Sequence, residues 1–227
     1  MPARAINKAT RPRNAAERQA RVAEILRCLD EAYPAAKCAL DHKNAWQLLV
    51  ATILSAQCTD KRVNMVTPGL FRKYPTIKDF AAVRQVVLEQ EIRSTGFFRN
   101  KAKSLIGSAK AILSEFGGQV PQTMEEILRL PGVARKTANV VLGTAFSKAT
   151  GVVVDTHVQR IAQRLDLTKQ KDPGKIEQDL MKAISQDKWI LFSHQIIHHG
   201  RLVCAARKPA CNRCNLEPLC YSKDKTV

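Results

Sequence analysis

The sequence predicts an all-α protein, and three observations carry that prediction. Apolar residues recur at helical spacing in almost every segment between residues 14 and 203. Capping residues, prolines and glycines fall where those segments would start and stop. Only Val152-Val153-Val154 looks extended, and no partner strand for it is evident.

The elements run in order along the chain. Residues 14–33 place Val22, Ile25, Leu26 and Leu29 on one face and stop at Tyr33-Pro34. Residues 44–56 are apolar almost all round, which predicts a buried helix at the centre of a domain. It runs into the polar end Gln57-Cys58-Thr59-Asp60. Residues 60–73 form a third helix, closed by Tyr74-Pro75, and Thr76-Ile77-Lys78-Asp79 opens a short fourth. A fifth covers 84–94 and stops at Gly96. Phe97-Phe98 then leads into 99–116, where Ala102, Leu105, Ile106, Ala109, Ile112 and Leu113 share a face. Residues 123–129 begin with Thr123 and Glu126, the pattern of a capping box. Pro131 and Gly132 break that helix, and another runs from about Arg135 through Ala145. Helices over 156–166, 173–185 (Asp172 as cap, Pro173 in the first turn) and 187–203 complete the chain.

The 227 residues suffice for one or two domains. Lys and Arg number 37 against 20 acidic residues, a net charge of +17 that favours a polyanionic partner. A membrane does not fit, because no apolar run approaches a spanning length. The basic N-terminus lacks the apolar core of a signal peptide. A cytoplasmic, nucleoid-associated bacterial protein is therefore expected, with an organellar or nuclear home left open. Aromatic residues make up only 5%, so stacking on an open aromatic platform is not the main binding device. Residues 1–19 read as a basic, disordered arm carrying Arg4, Lys8, Arg11 and Arg13. A transit peptide has similar chemistry, but no clear amphipathic face is present.

The stretch Leu130-Pro131-Gly132-Val133-Ala134-Arg135-Lys136 reads helix, tight turn, helix. Backbone N–H groups of Gly132, Val133 and Ala134 at a helix N-terminus suit a phosphate. Lys136 stands in the first turn of the second helix beside Arg135, the wrong end of the dipole for a cation. It is thus a candidate for a lowered pKa, although a phosphate-binding lysine is the simpler reading of its position. Asp155 shifts that balance. The helix after Arg135 rises about 18 Å, and residues 147–155 can span roughly 30 Å, enough to return. Asp155 would also cap the next helix. An amine able to attack carbon, an ionised carboxylate and a phosphate-gripping turn point to chemistry on a sugar–phosphate.

Seven cysteines occur, and Cys28, Cys38 and Cys58 read as small apolar side chains. The others form the pattern Cys204-x6-Cys211-x2-Cys214-x5-Cys220. Without a secretion signal, paired disulfides are disfavoured and a metal centre is expected. Zinc sites of this type usually show two close pairs, so the longer gaps favour iron–sulfur over zinc. Arg207, Lys208 and Arg213 would make the stapled loop a rigid phosphate contact, the plainer alternative being a solvated basic loop. His194 and His198 share a helix face but have no evident third ligand.

The hairpin, Val154-Asp155-Thr156-His157 and the cysteine pattern together resemble the endonuclease III family of base-excision repair enzymes. Leu54-Ser55-Ala56-Gln57-Cys58-Thr59-Asp60 and Gly96-Phe97-Phe98-Arg99-Asn100-Lys101-Ala102 are similar to that family as well. The likeness covers about residues 20–222. It implies a helix-hairpin-helix DNA glycosylase with an attached abasic-site lyase, acting as a monomer on duplex DNA with damaged bases or abasic sites. It implies a six-helix domain over 38–148 and a discontinuous domain over 20–37 and 149–227, with the DNA groove between them. A 4Fe–4S cluster would be held by Cys204, Cys211, Cys214 and Cys220. Lys136 would be the nucleophile and Asp155 its carboxylate partner. Gly132, Val133, Ala134, Arg135, Arg207 and Lys208 would contact DNA. Gln57 would fill the space an extruded nucleotide leaves, and Phe97 would be the wedge. The plainer roles for these two are a polar helix end and a core aromatic. The implied substrates are oxidised pyrimidines. The alternatives are a monofunctional mismatch glycosylase and a non-catalytic DNA-binding iron–sulfur protein. Ala134 departs from the family's usual Gly-Val-Gly. A positive φ there would strain the alanine, and its methyl would crowd a phosphate, weakening DNA binding.

Overall fold

The computed structural model describes residues 11–226. Among them there is no strand. Helix α1 spans Ala15–Ala32, α2 Ala45–Leu54, α3 Asp60–Lys73, α4 Ile77–Ala82 and α5 Gln85–Glu91. After a 3-10 turn at Arg93–Thr95 come α6 (Phe98–Glu115), the single turn α7 (Met124–Ile127) and α8 (Arg135–Phe146). The remaining helices are α9 (Thr156–Arg164), α10 (Pro173–Ala183) and α11 (Trp189–Leu202). The chain divides into two compact units. One is residues 38–150, and the other joins the described residues of 1–37 to those of 151–227.

The 38–150 unit is built around α2. Asn44 starts it by accepting the Gln47 N–H at 2.9 Å. Trp46 and Leu48 to Leu54 are then all buried, because α3, α6 and α8 pack around it. Its apolar residues on every side are what a rod enclosed by other helices requires. Trp46 meets Phe80 of α4 edge to face, with ring centroids 5.2 Å apart. The short α4 is secured by a full capping box between Thr76 and Asp79, and it lies against α6. At Thr123 only half of the expected box forms. Its hydroxyl caps the Glu126 N–H, but it also donates to the Glu126 carboxylate, which therefore does not reach back to the Thr123 backbone.

The other unit packs α11 against α1 and α9, with α10 on α9. Val152, Val153 and Val154 form a buried extended connection into α9. The Val153 N–H donates to the Ser193 hydroxyl of α11 at 3.0 Å, so side-chain pairing replaces a sheet ladder. One boundary moves. Asn14 caps α1 by accepting the Glu17 N–H, so residues 15–19 are helix rather than arm. Residues 1–10 of the expected arm lie outside the described residues.

Candidate functional site

The hairpin before α8 is seated on a face of small residues. Gly132 has φ +78°, a left-handed conformation that glycine adopts without strain. A Cβ there would lie 2.5 Å from Ser104 Oγ and 2.6 Å from Ser104 Cβ on α6. One turn further along α6, a Cβ on Gly107 would stand 3.1 Å from the Pro131 ring. Ser108 Oγ donates to the Pro131 carbonyl at 2.8 Å. Ser104, Gly107 and Ser108 therefore form a notch that receives Pro131-Gly132. Their spacing puts them on one helix face, a pattern of small residues that the sequence carries but that does not by itself name its partner.

Two expectations about this turn need correction. Val133 is buried, and its N–H donates to the Leu130 carbonyl at 3.1 Å, so it is not an open anion donor. The turn has to close on itself before α8 can start. Ala134 is the N-cap of α8 with φ −96° and ψ 168°, ordinary extended backbone, so the alanine is not strained. The positive φ falls at Gly132 instead. Ala134, Arg135 and Lys136 are all exposed. Lys136 is the second residue of α8, in the turn whose N–H groups have no intrahelical partner.

Asp155 belongs to the other unit and caps α9. Its Oδ1 accepts the N–H groups of His157 (2.8 Å) and Val158 (2.9 Å), which holds the half-buried side chain in one orientation. Among the described residues its second oxygen accepts no hydrogen bond.

Gln57 and Phe97, both in the 38–150 unit, have φ +53° and +48°. Non-glycine residues adopt this region only where the surroundings impose it, and such positions cluster at functional sites. Phe97 is 62% exposed, so it is not a core aromatic. Gln57 is exposed as well.

The four C-terminal cysteines line a single cavity together with Arg164, and none is in a disulfide. Arg164 Nη1 donates to Cys204 Sγ at 3.1 Å and to the Ala205 carbonyl at 2.7 Å. Arg160 donates to the Cys204 carbonyl through Nη2 (2.9 Å) and Nε (3.2 Å). Two arginines of α9 thus hold the loop. Buried His199 places Nε2 3.5 Å from Cys214 Sγ, while its Nδ1 lies 3.0 Å from the Tyr33 hydroxyl. None of these supporting residues stands out in the sequence, where an isolated Arg or His carries no spacing signal. Burial pushes the Cys214 thiol up to about 11 and raises that of Cys220. Thiolates in this setting therefore need a compensating positive centre. Among the described residues, no three His, Cys, Asp or Glu side chains group as they would around a single metal ion. Arg207 and Lys208 are exposed on the loop. His194 and His198 bring no third ligand.

Comparison with known proteins agrees with this geometry. Residues 50–186 match the HhH-GPD superfamily of base excision DNA repair proteins. Endonuclease III of Synechocystis sp. is 58% identical over 210 residues, covering 92% of this chain and 96% of that protein. Endonuclease III of Bacillus subtilis is 43% identical, covering 87% and 92%. A trapped endonuclease III–DNA covalent intermediate superposes with a TM-score of 0.83 at 43% identity, over 88% of this chain and 95% of that one. A non-covalent endonuclease III–DNA complex gives 0.85 at 41%, over 89% and 95%. The chain belongs to the helix-hairpin-helix base excision repair superfamily and, within it, to the endonuclease III family.

Proposed function

We propose that this chain is a bifunctional DNA glycosylase and abasic-site lyase that removes oxidised pyrimidines from duplex DNA. The observation that carries the reading is Lys136, an exposed primary amine in the first turn of the hairpin helix. Its relative trapped as a covalent DNA intermediate supports a nucleophilic mechanism at that position. A phosphate held at the turn would fix the sugar near α8, through backbone donors and helix dipole rather than side-chain charge.

The chemistry is set by the residue types. The damaged nucleotide leaves the stack, since C1′ is inaccessible within it. The unprotonated Lys136 amine attacks C1′, the glycosidic C–N bond breaks, and the base leaves with its electron pair and gains a proton. Asp155, ionised as an N-cap, stabilises the positive charge that develops on the sugar. Ring opening gives a Schiff base, which acidifies C2′. Loss of a C2′ proton expels the 3′ phosphate and breaks the strand, and water then releases Lys136. Gln57 and Phe97 occupy the duplex where the nucleotide was, and Phe97 contributes to opposite-base preference. Gly132, Ala134, Arg135, Arg207 and Lys208 contact the backbone, with Val133 shaping the turn.

Cys204, Cys211, Cys214 and Cys220 suit a 4Fe–4S cluster, one thiolate to each iron. The fit rests on four free thiols lining one cavity, with Arg164 donating to one sulfur. When bound, the cluster supplies charge compensation and a staple for the basic loop, outside the bond-breaking steps. In this reading the 38–150 unit carries the hairpin and the other unit the cluster. No helix among the described residues is long and apolar enough to cross a membrane. A bacterial home is consistent with the relatives. Borohydride added to the protein with abasic duplex DNA tests the reading. A covalent adduct that disappears in Lys136→Ala is expected. Base release with no adduct in the parent protein would overturn the lyase.

A further inference from the structure

Lys101 is a lysine in an apolar setting, 4% exposed within the core of the 38–150 unit. Among the described residues no carboxylate pairs with it. Its ammonium donates instead to two backbone carbonyls, Leu54 O at 2.7 Å and Thr95 O at 2.8 Å. Leu54 is the last residue of α2, and Thr95 is the last of the 3-10 turn before α6. Carbonyls at such ends have no intrahelical partner and carry the negative end of the helix dipole. One side chain therefore caps two C-termini at once. Burial lowers the Lys101 pKa, with Cys58 partly offsetting this. Methionine or leucine would fill the same space without the cost of burying a charge. The amine must do something that volume does not.

Each of the two capped ends leads directly into an exposed loop residue. Gln57 comes three residues after Leu54, and Phe97 comes two after Thr95. Both are exposed, and both are non-glycine residues held at positive φ. An imposed conformation needs a rigid anchor close by. We propose that Lys101 is a positioning residue that ties these two loops together and so fixes how Gln57 and Phe97 enter the duplex when a nucleotide is extruded. This role rests on the glycosylase reading and adds to it a device for extrusion.

The test uses the full chain and compares Lys101→Met, Lys101→Gln and Lys101→Arg with Ile112→Val. Ile112 is a core position of α6 and a control for lost stability alone. Stopped-flow fluorescence of 2-aminopurine beside a tetrahydrofuran abasic analogue reads extrusion in duplex DNA. Borohydride trapping on single-stranded abasic DNA reads the amine chemistry, which needs no extrusion there. Lys101→Met is expected to slow extrusion at least tenfold while trapping stays within twofold. Lys101→Arg should recover part of the rate, and Ile112→Val should leave it unchanged at an equal fall in melting temperature. If Lys101→Met does not fold, Lys101→Gln takes its place. Extrusion no slower than in Ile112→Val at matched stability would overturn the proposal. So would a parallel loss of trapping and extrusion. If the parent protein fails to trap abasic DNA, the lyase reading falls by itself, and the extrusion comparison still decides the role of Lys101.

Discussion

Gly132→Ala should be the most damaging single-methyl change in the hairpin. Two costs add. The backbone stays near φ +78°, where an alanine is disfavoured by about 1–2 kcal/mol. The new Cβ would also stand 2.5 Å from Ser104 Oγ and 2.6 Å from Ser104 Cβ. The hydroxyl can rotate away, but the Cβ cannot, so α6 or the turn must shift. Overpacking of that kind costs about 1–3 kcal/mol. Together the penalty is about 2–5 kcal/mol, a large share of a typical folding free energy of about 5–15 kcal/mol. The two contributions separate in a double-mutant cycle with Ser104→Gly. In that background the atom left facing the new methyl is the residue-104 Cα at 3.8 Å, ordinary van der Waals distance. The cycle should therefore show a coupling of about 1–3 kcal/mol, with only the backbone cost remaining. Urea unfolding of the four proteins measures stability, and affinity for an abasic duplex measured in parallel reports the turn. A Gly132→Ala penalty under about 0.5 kcal/mol, or costs that simply add, would refute the notch between α6 and the turn.

Asp155→Asn separates capping from charge, because asparagine caps as well as aspartate: stability should hold while single-turnover base release falls about 100-fold or more, and full activity would remove the electrostatic role. Asp155→Ala should lose about 0.5–2 kcal/mol of stability in addition, read by the same melts. Ala134→Gly should leave affinity for abasic DNA within about twofold, since φ is −96° and no strain is relieved; a tenfold gain would show that the methyl crowds a phosphate. Burial, with neighbouring His198 second, holds His194 down at about 4 against an ordinary 6.5. The unfolded chain then binds the extra proton first, so stability is full above pH 6.5 and falls as pH drops toward 4. The loss is up to about 3 kcal/mol, and His194→Asn should flatten that part of the pH–stability curve. An unchanged curve would mean that His194 is readily protonated in the folded protein.

Much of the molecule is legible in the chain because its signals are local. The caps at Asn44, Thr76, Asp155 and Asp172 each act within three residues of themselves, so a short window contains both partners. The enclosed α2 can be read because an apolar residue at every position leaves no face for water. Lys136 and Asp155 can be named because each lies in a short motif, and the cysteines because their spacing is itself the signal.

Other features depend on which elements come together. The Ala134 expectation failed because φ at that residue is set by how the turn sits in its notch on α6. The same packing took the Val133 N–H into the turn. Phe97 proved exposed because the left-handed turn ahead of α6 directs it outward, something an aromatic at helical spacing does not reveal. Lys101 and Leu54 are separated by 47 residues, and Arg164 and Cys204 by 40. By itself the sequence determined the helices, their caps and the reactive residue types. Only the tertiary structure decided which lysine would be buried against two carbonyls and which arginine would reach a sulfur. Periodicity and capping are properties of neighbouring residues, whereas those hydrogen bonds exist only once distant helices have packed.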